Sequence, residues 1–292
     1  MTPIHIMALR HSAFYTPLLV TVAGGYLQEE GLEPHYRVAT ADDPIPEALL
    51  AGTAHLAQSA PAVAFASLER GEAQEILHFT RLNGRDGFWL TARPGLEIRG
   101  WSDLAGREVL ADHLFQPLAT LRHLLRREGV EGAVLTDAGS PEAMERAFRQ
   151  RRGDLVQLQG PAPRQLEEEG IGQVVLSVGE ALGPIAFSSL CATRRWLDTD
   201  MARAFGRAWR RALRRVAEAP VEELAELVAP FLEGITSAAL IRTLQDYRAL
   251  GCWSTEPSFS REEWDGLLEV FLGEGLITRR HPMESVIAPF PD

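Results

Sequence analysis

Along the first sixty residues the spacing of apolar positions changes every few residues, and each change marks an element. Ile4-His5-Ile6-Met7-Ala8-Leu9 is a short, nearly continuous apolar run, as a strand covered on both faces requires. From about Ala13 to Glu30, Phe14, Leu18, Leu19, Val22 and Tyr26 fall three or four residues apart, which predicts one face of a helix that Gly31 ends. Leu32 to Val38 reads as a second strand, Pro46 to Ala51 as a short helix and Thr53 to Gln58 as a third strand. Ser59-Ala60-Pro61 has the form of an N-cap opening a helix that closes at Gly71. Strand and helix alternate, so the pattern predicts an α/β fold with a mainly parallel sheet flanked by helices.

The pattern then begins again. Glu75 to Arg81 and Gly87 to Arg93 read as strands around Asn83-Gly84, a dipeptide that favours a tight turn. Strands at Arg107 to Asp112, Gly132 to Asp137 and Asp154 to Gln157 alternate with helices at Pro117 to Arg127 and Pro141 to Arg151, and the alternation continues to Val178. After Thr199 the sequence is helical almost throughout, with segments near 199–218, 221–232, 236–250 and 260–274. Pro and Gly punctuate the chain most heavily at Arg93-Pro94-Gly95 and Gly183-Pro184. Two hinge crossings there would make residues 90–184 an inserted lobe and 1–89 with 185–292 a discontinuous one. The length of 292 residues suits two cores better than one.

Composition narrows the chemistry. The net charge is −11, against a nucleic-acid partner, whose phosphates are bound chiefly through Lys and Arg. All 29 basic residues are Arg, so no Lys exists to form a Schiff base with pyridoxal phosphate or to sit in a phosphate-binding loop. Cys191 and Cys252 stand far apart, with no metal-ligand or redox spacing, and read as buried free thiols, with a single disulfide as the alternative. No HExxH, GxSxG or GxGxxG pattern occurs, so neither a metal, a cofactor nor a catalytic constellation is expected. The Arg run from Arg203 to Arg215 recurs at helical spacing opposite Phe205, Trp209 and Val216, and reads as a solvated face. No stretch is long and apolar enough to span a membrane. The first residues run straight into the strand pattern without a basic and apolar leader, so a cytoplasmic location is expected if Met1 is the native start and a periplasmic one if a leader precedes it.

Several phrases resemble one family. Gly25-Tyr26-Leu27-Gln28-Glu29-Glu30-Gly31-Leu32-Glu33, Glu47-Ala48-Leu49-Leu50-Ala51-Gly52-Thr53-Ala54-His55, Ile98 to Val109 with its Trp101-Ser102-Asp103-Leu104-Ala105-Gly106, and Gly273-Glu274-Gly275-Leu276-Ile277 with Met283-Glu284-Ser285-Val286-Ile287 are similar, in order and spacing, to segments of the SsuA/THI5-like (NMT1/THI5-like) group. That group contains solute-binding proteins for nitrate, sulfonates and thiamine precursors. The resemblance implies a two-lobed, type 2 periplasmic-binding-protein fold with a ligand cleft between the lobes. It further implies the solute-binding component of an ABC-type importer, taking a small anionic organic ligand of the sulfonate, nitrate, carboxylate or thiamine-precursor class. The precursor synthases of the group use a Lys-bound pyridoxal phosphate and a cysteine-rich motif, and neither is present. A cytoplasmic dehydratase or decarboxylase on the same fold is the second reading, and an intracellular ligand sensor the third. A monomer is expected, with an ABC permease as the possible protein partner.

Ligands of open α/β sheets sit beyond the carboxyl ends of the strands, where helices begin. Three such junctions are Arg10-His11-Ser12-Ala13-Phe14-Tyr15, Ser59-Ala60 and Asp112-His113-Leu114-Phe115-Gln116. Three converging helix N-termini would suit an anionic group. Arg10 could grip an oxyanion through its planar fork, or could be a surface residue paired with Asp42 or Asp43. His11 could donate to a ligand or simply be solvated. Tyr15 lies off the apolar stripe that Phe14 joins, and with Phe115 could stack on a planar ligand. Gln159-Gly160 resembles the place where family members present polar groups, and Ser188 follows the return crossing.

Overall fold

The computed structural model describes all 292 residues. In chain order its strands are β1 (Thr2–Ala8), β2 (Leu32–Val38), β3 (Leu56–Ser59), β4 (Ile76–Asn83), β5 (Phe88–Ala92), β6 (Glu108–Leu110), β7 (Val134–Thr136), β8 (Leu155–Gln159), β9 (Gln173–Ser177) and β10 (Ser188–Thr193). They form two five-stranded sheets with helices packed around each, in the orders β2-β1-β3-β10-β4 and β7-β6-β8-β5-β9. The fold is the two-lobed α/β arrangement. Ile4, Ile6, Met7 and Ala8 of β1 are all fully buried, which explains why that strand reads as a continuous apolar run.

Each sheet is parallel except for the strand by which the chain arrives. β5, the first strand of the second sheet, runs antiparallel to β8 and β9. β10, the return strand, runs antiparallel to β3 and β4. The crossings therefore fall at 84–87 and 183–187. Arg93-Pro94-Gly95 is not the first crossing but the turn beyond the end of β5, and Phe88 and Trp89 already belong to the second sheet. A Pro-Gly signal marks a reversal of the chain and does not distinguish a hinge from a turn within one sheet. Asn83-Gly84 likewise makes no hairpin, because β4 and β5 lie in different sheets. Asn83 instead turns inward and donates its amide to the carbonyl of Phe14 at 2.8 Å.

Two further elements depart from the pattern. The helix expected over Ala13 to Glu30 is a 3-10 turn at Ala13–Tyr15, a helix at Thr16–Ala23 and a short helix at Tyr26–Glu29. Gly25, at φ 83°, breaks the run, a backbone conformation that favours glycine. The helix expected after Ser59 starts as a 3-10 turn, Pro61–Ala64, whose N-cap is Ala60 with no side-chain cap.

The C-terminal helices join the lobes. Ser237–Leu250 and Arg261–Gly273 share one large core with β1, β4 and the start of β5. The first also fastens to the helix Ala162–Glu168 of the second lobe through an Arg164–Asp246 ion pair of 2.6 Å. Tyr247, fully buried, accepts from Gly160 N at 2.7 Å and donates to Gly87 O at 2.9 Å, and its ring stacks 4.5 Å from that of Trp89. Gly87 and Gly160 leave no room for side chains: a Cβ would lie 2.4 Å from the Phe14 ring and 2.3 Å from Thr243 Cγ2.

Candidate functional site

The carboxyl ends of β1, β3, β6 and β8 face one another across a cleft of about 490 Å³. From the first lobe come Leu9 and Arg10 after β1, Tyr15, residues 39–41 and 44–46 on either side of Asp42 and Asp43, Gln58, Ser59 and Ala60 at the end of β3, and Ser188 at the start of β10. From the second come Phe88, Leu114, Phe115, Gln116 and Gln159. The parallel strands point their carboxyl ends the same way, so the loops that follow them collect at one edge of each sheet. Eight of the eleven residues singled out from the sequence meet here: Arg10, Tyr15, Ser59, Ala60, Phe115, Gln116, Gln159 and Ser188.

The other three lie elsewhere. His11 lines a neighbouring cavity of about 540 Å³, with His113, Asp137 and Glu142, and burial depresses its pKa. Ser12 is buried and donates to the carbonyl of Gly160 at 2.9 Å, and Ala13 N donates to the same oxygen at 3.2 Å. Ser12 and Gly160 are thus occupied in tying the segment after β1 to the end of β8.

Arg10 has a partner that the sequence did not indicate. Its Nη1 donates to Asp112 Oδ2 at 2.9 Å, across the cleft, with the two side chains 14% and 4% exposed. Asp43 instead pairs with Arg37. Burial works against the Arg10 charge, but neighbouring Tyr15 and Asp112 outweigh it and hold the guanidinium pKa above its ordinary value. Asp112 Oδ1 also accepts from Leu114 N at 2.9 Å, ahead of the helix Phe115–Arg127. That is the one long helix whose N-terminus reaches the cleft, and this carboxylate already serves it. The other two junctions open with 3-10 turns. The expected convergence of three helix N-termini is therefore much reduced.

The polar remainder of the cleft is neutral. Tyr15 lies against Gln159 and Ser188, and burial, partly offset by Arg10 and Gln159, raises its pKa. Gln58 accepts from Leu9 N at 3.1 Å, which fixes the exit of β1. Gln116 donates weakly to Ala186 O at 3.4 Å. The side-chain carbonyl oxygens of Gln116 and Gln159 are buried without a hydrogen-bond partner. Sequence reasoning missed Gln58, Phe88, Phe187 and the residues 39–41 and 44–46 that flank Asp42 and Asp43, because their approach to the cleft is set by strand order rather than by any local motif. Asp112 stood in a marked junction, and its acidic character beside a helix start was the available signal.

No group of three or more His, Cys, Asp or Glu could hold a metal ion, and no helix is long and apolar enough to cross a membrane. Cys191 and Cys252 are buried and free, and burial pushes the Cys191 thiol up to about 12.

Two α/β lobes meeting at a cleft are the fold of the periplasmic binding proteins. Within it the chain belongs to the NMT1/THI5-like family, whose profile matches residues 13–223. The alkanesulfonate-binding protein SsuA of Xanthomonas axonopodis pv. citri, bound to MOPS, superposes with a TM-score of 0.74 at 16% identity, covering 99% of each chain. A ligand-binding component of an ABC-type import system from Staphylococcus aureus, with zinc bound, gives 0.74 at 14% identity over 99% of this chain and 97% of its own. YtlA of Bacillus subtilis (strain 168), named as a binding protein, is 22% identical over 293 residues, 98% of this chain and 88% of that protein.

Proposed function

We propose that this chain binds one small organic solute in the cleft between its lobes and presents it, as a monomer, to an ABC-type permease. The observation that carries the reading is the cleft itself. It lies at the carboxyl ends of the strands, holds about 490 Å³ and is lined from both lobes, so a solute touching both sides favours their approach. The lobe carrying β5 to β9 would swing against the lobe carrying β1 to β4 and β10, with the joints at 84–87 and 183–187. The similarity to proteins named for binding, the alkanesulfonate-binding protein and YtlA, supports the same reading over the dehydratase or decarboxylase alternative.

Eight of the sequence-derived residues are the proposed solute contacts: Arg10, Tyr15, Ser59, Ala60, Phe115, Gln116, Gln159 and Ser188. His11, Ser12 and Gly160 have supporting places. A solute library read by thermal unfolding tests the reading, since a ligand at 100 times its Kd adds about 2.7 kcal/mol of stability. The expected result is a small set of chemically related hits that leave the protein monomeric and unconsumed. A library with no stabilising member, or a hit that is chemically converted, would contradict it.

A further inference from the structure

Arg10 is the only charged side chain among the residues lining the cleft, and alone it would read as an oxyanion grip. It is not alone. Asp112 reaches it from the opposite lobe at 2.9 Å, and the same carboxylate accepts from the backbone N–H of Leu114 at the start of the helix Phe115–Arg127. The cation and the positive end of the helix are thus both served by a carboxylate of the chain. A solute oxyanion at Arg10 would place two carboxylate-like charges on one guanidinium in a largely desolvated cleft, where like charges repel strongly.

The hydrogen-bonding groups point the same way. The carbonyl oxygens of Gln116 and Gln159 are buried and without partners, and Gln116 itself is 3% exposed. Because the amide nitrogen of Gln116 is directed at Ala186 O, its oxygen is the free end. Two orphan acceptors call for donors, which nitrate or a simple sulfonate lacks. The remaining walls include the rings of Phe88, Phe115 and Phe187, which suit a flat apolar body.

We propose that Asp112 is the specificity-determining residue of the cleft: by holding Arg10 it turns the site away from oxyanions and toward an uncharged, flat solute that donates N–H hydrogen bonds, such as an aromatic carboxamide. This rests on the reading of the cleft as the solute site.

The test uses isosteric pairs that differ in charge and in donors: nicotinamide against nicotinate, and benzamide against benzoate, each titrated by ligand-observed NMR. The intact protein binds the amide of each pair more tightly, by about tenfold or more. Asp112→Asn still accepts from Leu114 N but frees the Arg10 charge, so the preference falls or reverses toward the acid. The double variant Arg10→Gln with Asp112→Asn, again without net charge, returns to the amide. An intact protein that prefers the acids overturns the proposal and leaves solute binding intact. An unchanged ratio in Asp112→Asn, or no binding of any of the four probes, also overturns it. The underlying reading fails on different results: a solute library with no hit, a hit that is chemically converted, or a hit bound outside the cleft.

Discussion

Asp86 and His78 are both fully removed from water, and their pH dependences oppose each other. Asp86, in the first crossing, accepts from Phe88 N and lies 2.8 Å from Thr120 Oγ1, and burial raises its pKa to about 7. Thr120 also reaches Pro117 O at 3.0 Å, and one hydroxyl has one proton. If that proton goes to Pro117, Asp86 carries its own, in accord with the raised value. Between its ordinary pKa of 3.8 and about 7, folded Asp86 keeps a proton that the unfolded chain sheds, so its contribution to stability is lost as pH rises through that window. His78, 2.6 Å from Ser189 Oγ, is lowered by burial from 6.5 to about 3. The unfolded chain takes up a proton that the folded one refuses, so this contribution is lost as pH falls. Over pH 4 to 6.5 the two slopes offset, and each contribution, summed over its whole window, is on the order of a few kcal/mol. Urea unfolding of Asp86→Asn should therefore show stability rising with pH more steeply than in the unsubstituted protein, and His78→Gln should show the reverse. Identical slopes in Asp86→Asn and the unsubstituted chain would mean that Asp86 is ionised in the fold. None of this is legible in the sequence, where Asp86 sits in a polar Gly84-Arg85-Asp86-Gly87 run that reads as a loop; only the packing of the crossing against Thr120 and Gly179 buries it.

The elements that the sequence made legible are those with a sustained period. β2 falls on the residues expected, Leu32–Val38, and the helices Asp200–Glu218 and Ser237–Leu250 begin and end within a residue or so of the segments read from their apolar spacing. β10 was passed over, because Ser188-Ser189-Leu190-Cys191-Ala192-Thr193 is short and small-residued and earns its place only by lying between β3 and β4. The role of Tyr247 was equally hidden. It reads as one apolar position of a helix, yet its hydroxyl links Gly160 to Gly87. Tyr247→Phe keeps the ring stacked on Trp89 and leaves Gly160 N buried without an acceptor, so unfolding free energy should fall by about 1–3 kcal/mol. Denaturant titration checks this, and an unchanged midpoint would mean that another acceptor replaces the hydroxyl.

At the scale of the whole molecule, two lobes and a cleft at the strand ends were readable from the second cycle of strand and helix. The pairing across the cleft was not. Arg10 and Asp112 are 102 residues apart, and their meeting depends on how the sheets face each other. The contact also gives lobe closure a charge dependence, since Arg10 and Asp112 belong to opposite lobes. The central claim, that the solute sits between the lobes, is tested most directly by calorimetry on a library hit with Ala60→Trp. Ala60 lines the cleft in extended backbone and makes no side-chain hydrogen bond, so the indole fills the space without removing a polar contact. Lost binding with an unchanged melting temperature is the result expected; a variant that binds the hit as tightly as the unsubstituted protein would place the solute outside the cleft.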